Sequence, residues 1–216
     1  MKHVDKIFRQ LDAIVPTLDV PVIELVESQT QDPFKILVAT ILSARTKDQT
    51  TAEVCKRLFK AVHTAKDLQK KTVKHIEKLI YPVGFYKNKA KYLKALPAAL
   101  DEEYNGVIPQ TVEELVKLPG VGRKTANLVV AVAFKKPAIC VDIHVHRISN
   151  RFGWVKTKTP FETEMELRRI LPKKYWLKIN WYLVAYGQSI CTPVSPHCSV
   201  CTLKKYCPQI GVTKTR

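Results

Sequence analysis

Apolar side chains return at intervals of three and four residues along most of this sequence, and nowhere do they alternate one for one over a sustained run. That is the period of a helix buried along one side, not of a strand. Asp32-Pro33 sets an N-capping carboxylate before a proline at the first helical position and predicts a helix over residues 34–42. A second begins near Lys47-Asp48 and carries Ala52, Val54, Leu58 and Phe59 at helical spacing. Residues 68–79 read as a third, stopped by Tyr81-Pro82-Val83-Gly84. Residues 87–100 read as a fourth, with Ala90, Leu93, Leu96 and Leu100 in register and Pro97 kinking or shortening its end. Thr111 followed by Glu114 is a capping box for a helix that ends at Pro119-Gly120. Residues 123–134 are apolar almost all round, which marks a helix enclosed by others. The predicted fold class is all-α.

The turn between the last two helices carries the most information. Leu118-Pro119-Gly120-Val121-Gly122-Arg123-Lys124 puts two glycines where the backbone must fold sharply. The N–H groups there, backed by the positive end of the following helix, form a seat for a phosphate. The resulting helix–hairpin–helix, residues 111–134, sets Lys124 beside that seat. After the enclosed helix comes Val141-Asp142-Ile143-His144-Val145-His146-Arg147, with Asp142 placed to cap the next helix. By itself that is a cap worth about 1 kcal/mol.

Charge adds a partner. Thirty-six Lys and Arg against nineteen Asp and Glu give the 216 residues a formal net charge of +17. Lysines that merely solvate helix faces would come with comparable numbers of Glu; an excess of cations predicts salt-sensitive binding to a polyanion, here nucleic acid. No membrane is expected as a partner, because no apolar run approaches the ~20 residues of a span. Met1-Lys2-His3-Val4-Asp5 lacks the apolar core of a signal peptide, so an intracellular location is expected. Six cysteines in that compartment are not a disulfide framework. Cys191, Cys198, Cys201 and Cys207 crowd into seventeen residues, a density that suits either zinc or an iron–sulfur cluster. Cys55 and Cys140 stand apart and are expected to be small buried residues.

Residues 118–126, Val141-Asp142 with His144 to Arg147, Ser43-Ala44-Arg45-Thr46-Lys47-Asp48, Tyr81-Pro82-Val83-Gly84-Phe85-Tyr86 and the four-cysteine tail together resemble the endonuclease III family of DNA glycosylases, in unbroken order from Asp32 to Cys207. The resemblance implies two all-α lobes with the DNA site in the cleft between them. One is a six-helix bundle over residues 26–135; the other joins residues 1–25 to 136–216 and carries the cluster loop 191–207. It implies a monomeric, bifunctional enzyme of base excision repair, acting on double-stranded DNA that contains oxidised pyrimidines or abasic sites. It also implies that the four cysteines hold a [4Fe–4S] cluster.

Residue by residue, Lys124 falls on the family's nucleophile and Asp142 on its catalytic carboxylate. The amine attacks C1′, the base departs, and the resulting Schiff base loses its C2′ proton and then the 3′ phosphate. An ordinary lysine, with a pKa near 10.4, is neutral in only about one part in a few thousand at pH 7. The helix N-terminus, Arg123 and partial burial are expected to raise that share. Asp142 would either offset positive charge at C1′ or take a proton from Lys124. Base extrusion leaves a gap. Arg45 stands where the family usually has a gap-filling glutamine, and Phe85 where it has an apolar wedge, with core packing the competing reading for Phe85. Leu118, Gly120, Val121, Gly122 and Arg123 are implied to hold DNA through the hairpin. His144 would touch phosphate or support Asp142, Lys204 and Lys205 would add basic contacts, and Ile143 replaces a commoner threonine. A mismatch glycosylase without strand cutting and a non-catalytic DNA-holding module are the rival readings; the second leaves Asp142 without a task.

Overall fold

The computed structural model describes every residue from Met1 to Arg216 and contains no strand. Its helices in chain order are α1 (Val4–Ile14), α2 (Val22–Thr30), α3 (Pro33–Ser43), α4 (Asp48–Leu58), α5 (Ala65–Gln69), α6 (Val73–Ile80), α7 (Tyr86–Tyr104), α8 (Val112–Leu115), α9 (Arg123–Phe134), α10 (Ile143–Arg151), α11 (Pro160–Ile170) and α12 (Trp176–Ser189). Single 3-10 turns stand at Val15–Thr17, Lys173–Tyr175 and Lys204–Tyr206. The chain divides into two units, Val22–Lys136 and the discontinuous pair Met1–Pro21 with Pro137–Arg216.

In the Val22–Lys136 unit, α3 packs against α9 at the centre. Both are apolar on most sides, so a helix on one face alone would leave them half wet. The Asp32 carboxylate accepts the Phe34 N–H at 2.9 Å with Pro33 at the first helical position, as the sequence predicts. Three boundaries differ from expectation. The segment over residues 68–79 is two helices, because the Thr72 hydroxyl accepts the His75 N–H at 3.2 Å and starts α6 afresh. Pro97 does not end α7, which runs on to Tyr104; its ring lies buried on the side shared with Leu93, Leu96 and Leu100, and this burial offsets the lost backbone hydrogen bond. At α8 only half of a capping box forms: the Thr111 hydroxyl accepts the Glu114 N–H, while the Glu114 carboxylate accepts the Thr111 hydroxyl at 2.5 Å rather than its backbone N–H.

The other unit packs α1, α10, α11 and α12 around one core. Ile7, Phe8 and Leu11 of α1 are fully buried in it. The Phe8 ring stacks on Tyr175 with centroids 3.9 Å apart. Two similar polar clasps flank this seam. Asp5 accepts hydrogen bonds from Lys174 and Tyr175, both at 2.6 Å, and these hold its carboxyl below the usual range. Asp12, two turns on, accepts from Lys178 at 2.8 Å and from the Tyr182 hydroxyl.

Candidate active site

The hairpin is anchored from within. Leu118 and Val121 are buried, and the Val121 N–H returns to the Leu118 carbonyl at 3.1 Å. Gly120 has φ +76°, and a Cβ there would lie 2.7 Å from the Tyr92 ring, so the turn and its contact with α7 both require glycine. Gly122 differs: a Cβ there would meet nothing within 4 Å. It also offers no side chain to cap α9, whose first N–H groups therefore face open space. Arg123 and Lys124 are exposed in this first turn. The partial burial expected of Lys124 is not found: its side chain, in the first turn of α9, is exposed.

Gly120 of the hairpin, Arg45 and Phe85 line one open cavity of about 230 Å³ within the Val22–Lys136 unit. Phe85 is 59% exposed, which removes core packing as its role. The Arg45 guanidinium carbon sits 5.4 Å from the Phe85 ring centroid. The two loops that carry them touch through backbone: a Cβ on Gly84 would lie 2.4 Å from the Arg45 carbonyl oxygen. Beneath them lies Lys89, buried on α7, which sequence reasoning did not single out. The available signal was its register, four residues before Leu93 on the apolar stripe of α7.

Asp142 caps α10 through one oxygen. Its Oδ1 accepts the N–H of His144 at 2.8 Å and of Val145 at 2.9 Å, leaving Oδ2 without a hydrogen bond in the chain. Ile143 beside it is 66% exposed. His144 Nδ1 stands 3.1 Å from Arg147 Nη2, which also donates to the Gly187 and Cys191 carbonyls at 3.1 and 2.8 Å. Burial pulls the Arg147 guanidinium below its ordinary value.

All four clustered cysteines line one small cavity. Their thiols are free, and no three His, Cys, Asp or Glu side chains converge closely enough to hold a single metal ion. Four thiols around one cavity are a donor set that suits either a tetrahedral zinc ion or an iron–sulfur cube. Arg151, 7% exposed, wraps the loop: Nη1 donates to the Cys191 sulfur at 3.2 Å and the Thr192 carbonyl at 2.8 Å, and Nη2 to the Pro193 carbonyl at 2.6 Å. Arg147 and Arg151 were also missed; four residues apart on α10, they share one face. Lys204 and Lys205 are exposed in the turn before Cys207. Cys55 and Cys140 are buried, and burial pushes the Cys55 thiol up to about 12.

A family model for the HhH-GPD superfamily of base excision DNA repair proteins matches residues 38–173. The chain is 49% identical to endonuclease III of Thermotoga maritima over 176 residues, covering 82% of this chain and 83% of that protein. It spans 48% of the length of endonuclease III homolog 2 of Arabidopsis thaliana and 63% of endonuclease III-like protein 1 of Gallus gallus. Among solved structures, a non-covalent endonuclease III–DNA complex superposes with a TM-score of 0.86 at 36% identity, covering 96% of this chain and 95% of that one. A trapped endonuclease III–DNA covalent intermediate gives 0.77 at 37% identity, covering 87% and 93%. No helix is long and apolar enough to cross a membrane. The chain therefore belongs to the HhH-GPD superfamily of base excision DNA repair proteins, and within it to the endonuclease III family of DNA glycosylases.

Proposed function

We propose that this glycosylase is bifunctional: it removes oxidised pyrimidines from double-stranded DNA and then cuts the strand as an AP lyase. The observation that carries this reading is an exposed lysine, Lys124, in the first turn of a helix whose N–H groups are uncapped and open. A phosphate seated there brings the neighbouring sugar to the amine. Lys124 gives up a proton and its nitrogen lone pair forms a bond to C1′, while the base leaves with the glycosidic electron pair. Ring opening gives an imine, loss of the C2′ proton supplies the electrons that expel the 3′ phosphate, and water later frees the lysine. Asp142 receives the amine proton or offsets charge at C1′ through Oδ2, the oxygen its cap leaves free. Arg45 and Phe85 enter the gap left by the extruded base. Leu118, Gly120, Val121 and Gly122 through the hairpin main chain, with Arg123, His144, Lys204 and Lys205, hold the DNA backbone, and the protein acts as a monomer.

We assign the cysteine cavity to a [4Fe–4S] cluster held by Cys191, Cys198, Cys201 and Cys207, which supplies a cross-link where the loop has little apolar core. Purified anaerobically, the protein is expected to contain iron and acid-labile sulfide in equal amounts; one zinc per chain and no sulfide would overturn the assignment.

Incubation with thymine-glycol or abasic duplex in the presence of borohydride is expected to give a protein–DNA adduct and a nicked strand. Tight binding with neither product would favour a DNA-holding module, and base release without a nick a monofunctional glycosylase.

The two hairpin glycines separate folding from binding. Gly120→Ala is expected to lower stability by about 1–3 kcal/mol, through positive φ and the Tyr92 contact, and to weaken duplex binding with it. Gly122→Ala is expected to leave the urea midpoint unchanged and still weaken binding, because its Cβ would occupy space open to a phosphate. Equal midpoint losses in the two variants would refute this division.

A further inference from the structure

Lys89 lies on the stripe of α7 that otherwise carries Leu93, Leu96 and Leu100, and is 5% exposed. A buried ammonium is tolerated only when its three protons find acceptors. Here all three do. Nζ donates to the Leu42 carbonyl at 2.7 Å, the Ala44 carbonyl at 2.6 Å and the Thr46 hydroxyl at 3.2 Å. The two carbonyls sit at the C-terminal end of α3, where the helix dipole favours a cation. Burial lowers the Lys89 pKa to about 8, which leaves it charged and donating at neutral pH.

The bond chain continues across the surface. Thr46 Oγ1 accepts the Gly84 N–H at 3.1 Å, so the anchor holds the loop of Arg45 and, through Thr46, the loop of Phe85. Both residues have left-handed backbone, φ 54° and 57°, which an L residue keeps only where its surroundings enforce it. Both side chains are nevertheless exposed, so neither is fixed by packing of its own.

We propose that Lys89 is a positioning residue, which presents Arg45 and Phe85 to DNA as one preorganised wedge. This rests on the reading of those two residues as gap-filling. Without the anchor, both must be ordered at the moment of binding, and discrimination in favour of DNA with a gap falls.

The test compares affinities of the full chain for undamaged duplex and for duplex with a tetrahydrofuran abasic analogue opposite 2-aminopurine. Lys89→Met keeps the length of the side chain and removes its donors. It is expected to lower the abasic-to-undamaged affinity ratio about tenfold, the scale of ordering two long side chains. It is also expected to reduce the 2-aminopurine emission change on binding, which a general loss of folded protein would not do selectively. Thr46→Val, which cuts the tie to Gly84 and one of the three bonds of Lys89 while leaving its two carbonyl acceptors, is expected to lower the ratio about threefold and decides the matter should Lys89→Met fail to fold. Arg45→Ala and Phe85→Ala run in parallel. If both lower the ratio while Lys89→Met and Thr46→Val leave it unchanged, the positioning role is overturned and gap filling stands. If neither lowers it, gap filling falls and the role of Lys89 falls with it.

Discussion

Lys124→Gln is expected to abolish the borohydride-trapped adduct and to lower strand cutting at an abasic site by about 10⁴-fold or more, as happens when a covalent nucleophile is removed from an enzyme that retains its binding surface. Glutamine keeps the reach of the side chain and can still donate to a phosphate, so duplex affinity should change little beyond the loss of one charge. Lys124 is exposed, so the thermal midpoint should hold. These three readouts together separate a nucleophile from a phosphate contact. Persistence of the adduct would place the nucleophile elsewhere; unchanged cutting with no adduct would remove the imine from the pathway.

Asp142 is the second large effect, and its two oxygens allow its two roles to be split. Asparagine caps a helix about as well as aspartate, so Asp142→Asn should keep the bonds to His144 and Val145, and with them the fold. It removes the negative charge at Oδ2, and base excision is expected to fall by about 10²–10³-fold, the scale of losing one well-placed electrostatic group. Asp142→Ala should lose the same activity and, in addition, about 1 kcal/mol of stability with the cap. Single-turnover excision and thermal melting measure the two losses separately. An Asn variant with full excision would reduce Asp142 to its structural task.

Much of the all-helical architecture was legible because the signals were local. Asp32-Pro33, Gly120 and Asp142 act within three residues of themselves, and the structure shows the turn and caps they encode, whereas Gly122 has an ordinary φ of -90° that needs no glycine. Errors arose where distant packing overrode local chemistry. Pro97 breaks an isolated helix but not one whose buried side already contains Leu93 and Leu100. The split at Thr72 was readable as a cap, yet it is masked by the apolar run on either side. Lys89 was invisible for a different reason: its acceptors lie 43 to 47 residues away, and nothing near it in sequence shows that three oxygens wait for it. Arg151 likewise meets carbonyls about forty residues on. Side chains that brace a site from beneath are the least legible from sequence, because their identity is set by what surrounds them in space.

The seam between α1 and the segment around α12 bears on how the protein is made. Asp5 and Asp12 find their lysine and tyrosine partners 166 to 170 residues later, and Phe8 waits as long for Tyr175. On the ribosome, the middle stretch from Val22 to Lys136 is complete long before those partners emerge. The first helix must therefore pass most of synthesis with Ile7, Phe8 and Leu11 uncovered, a nascent-chain hazard that lessens as α10 and α11 emerge and ends with α12.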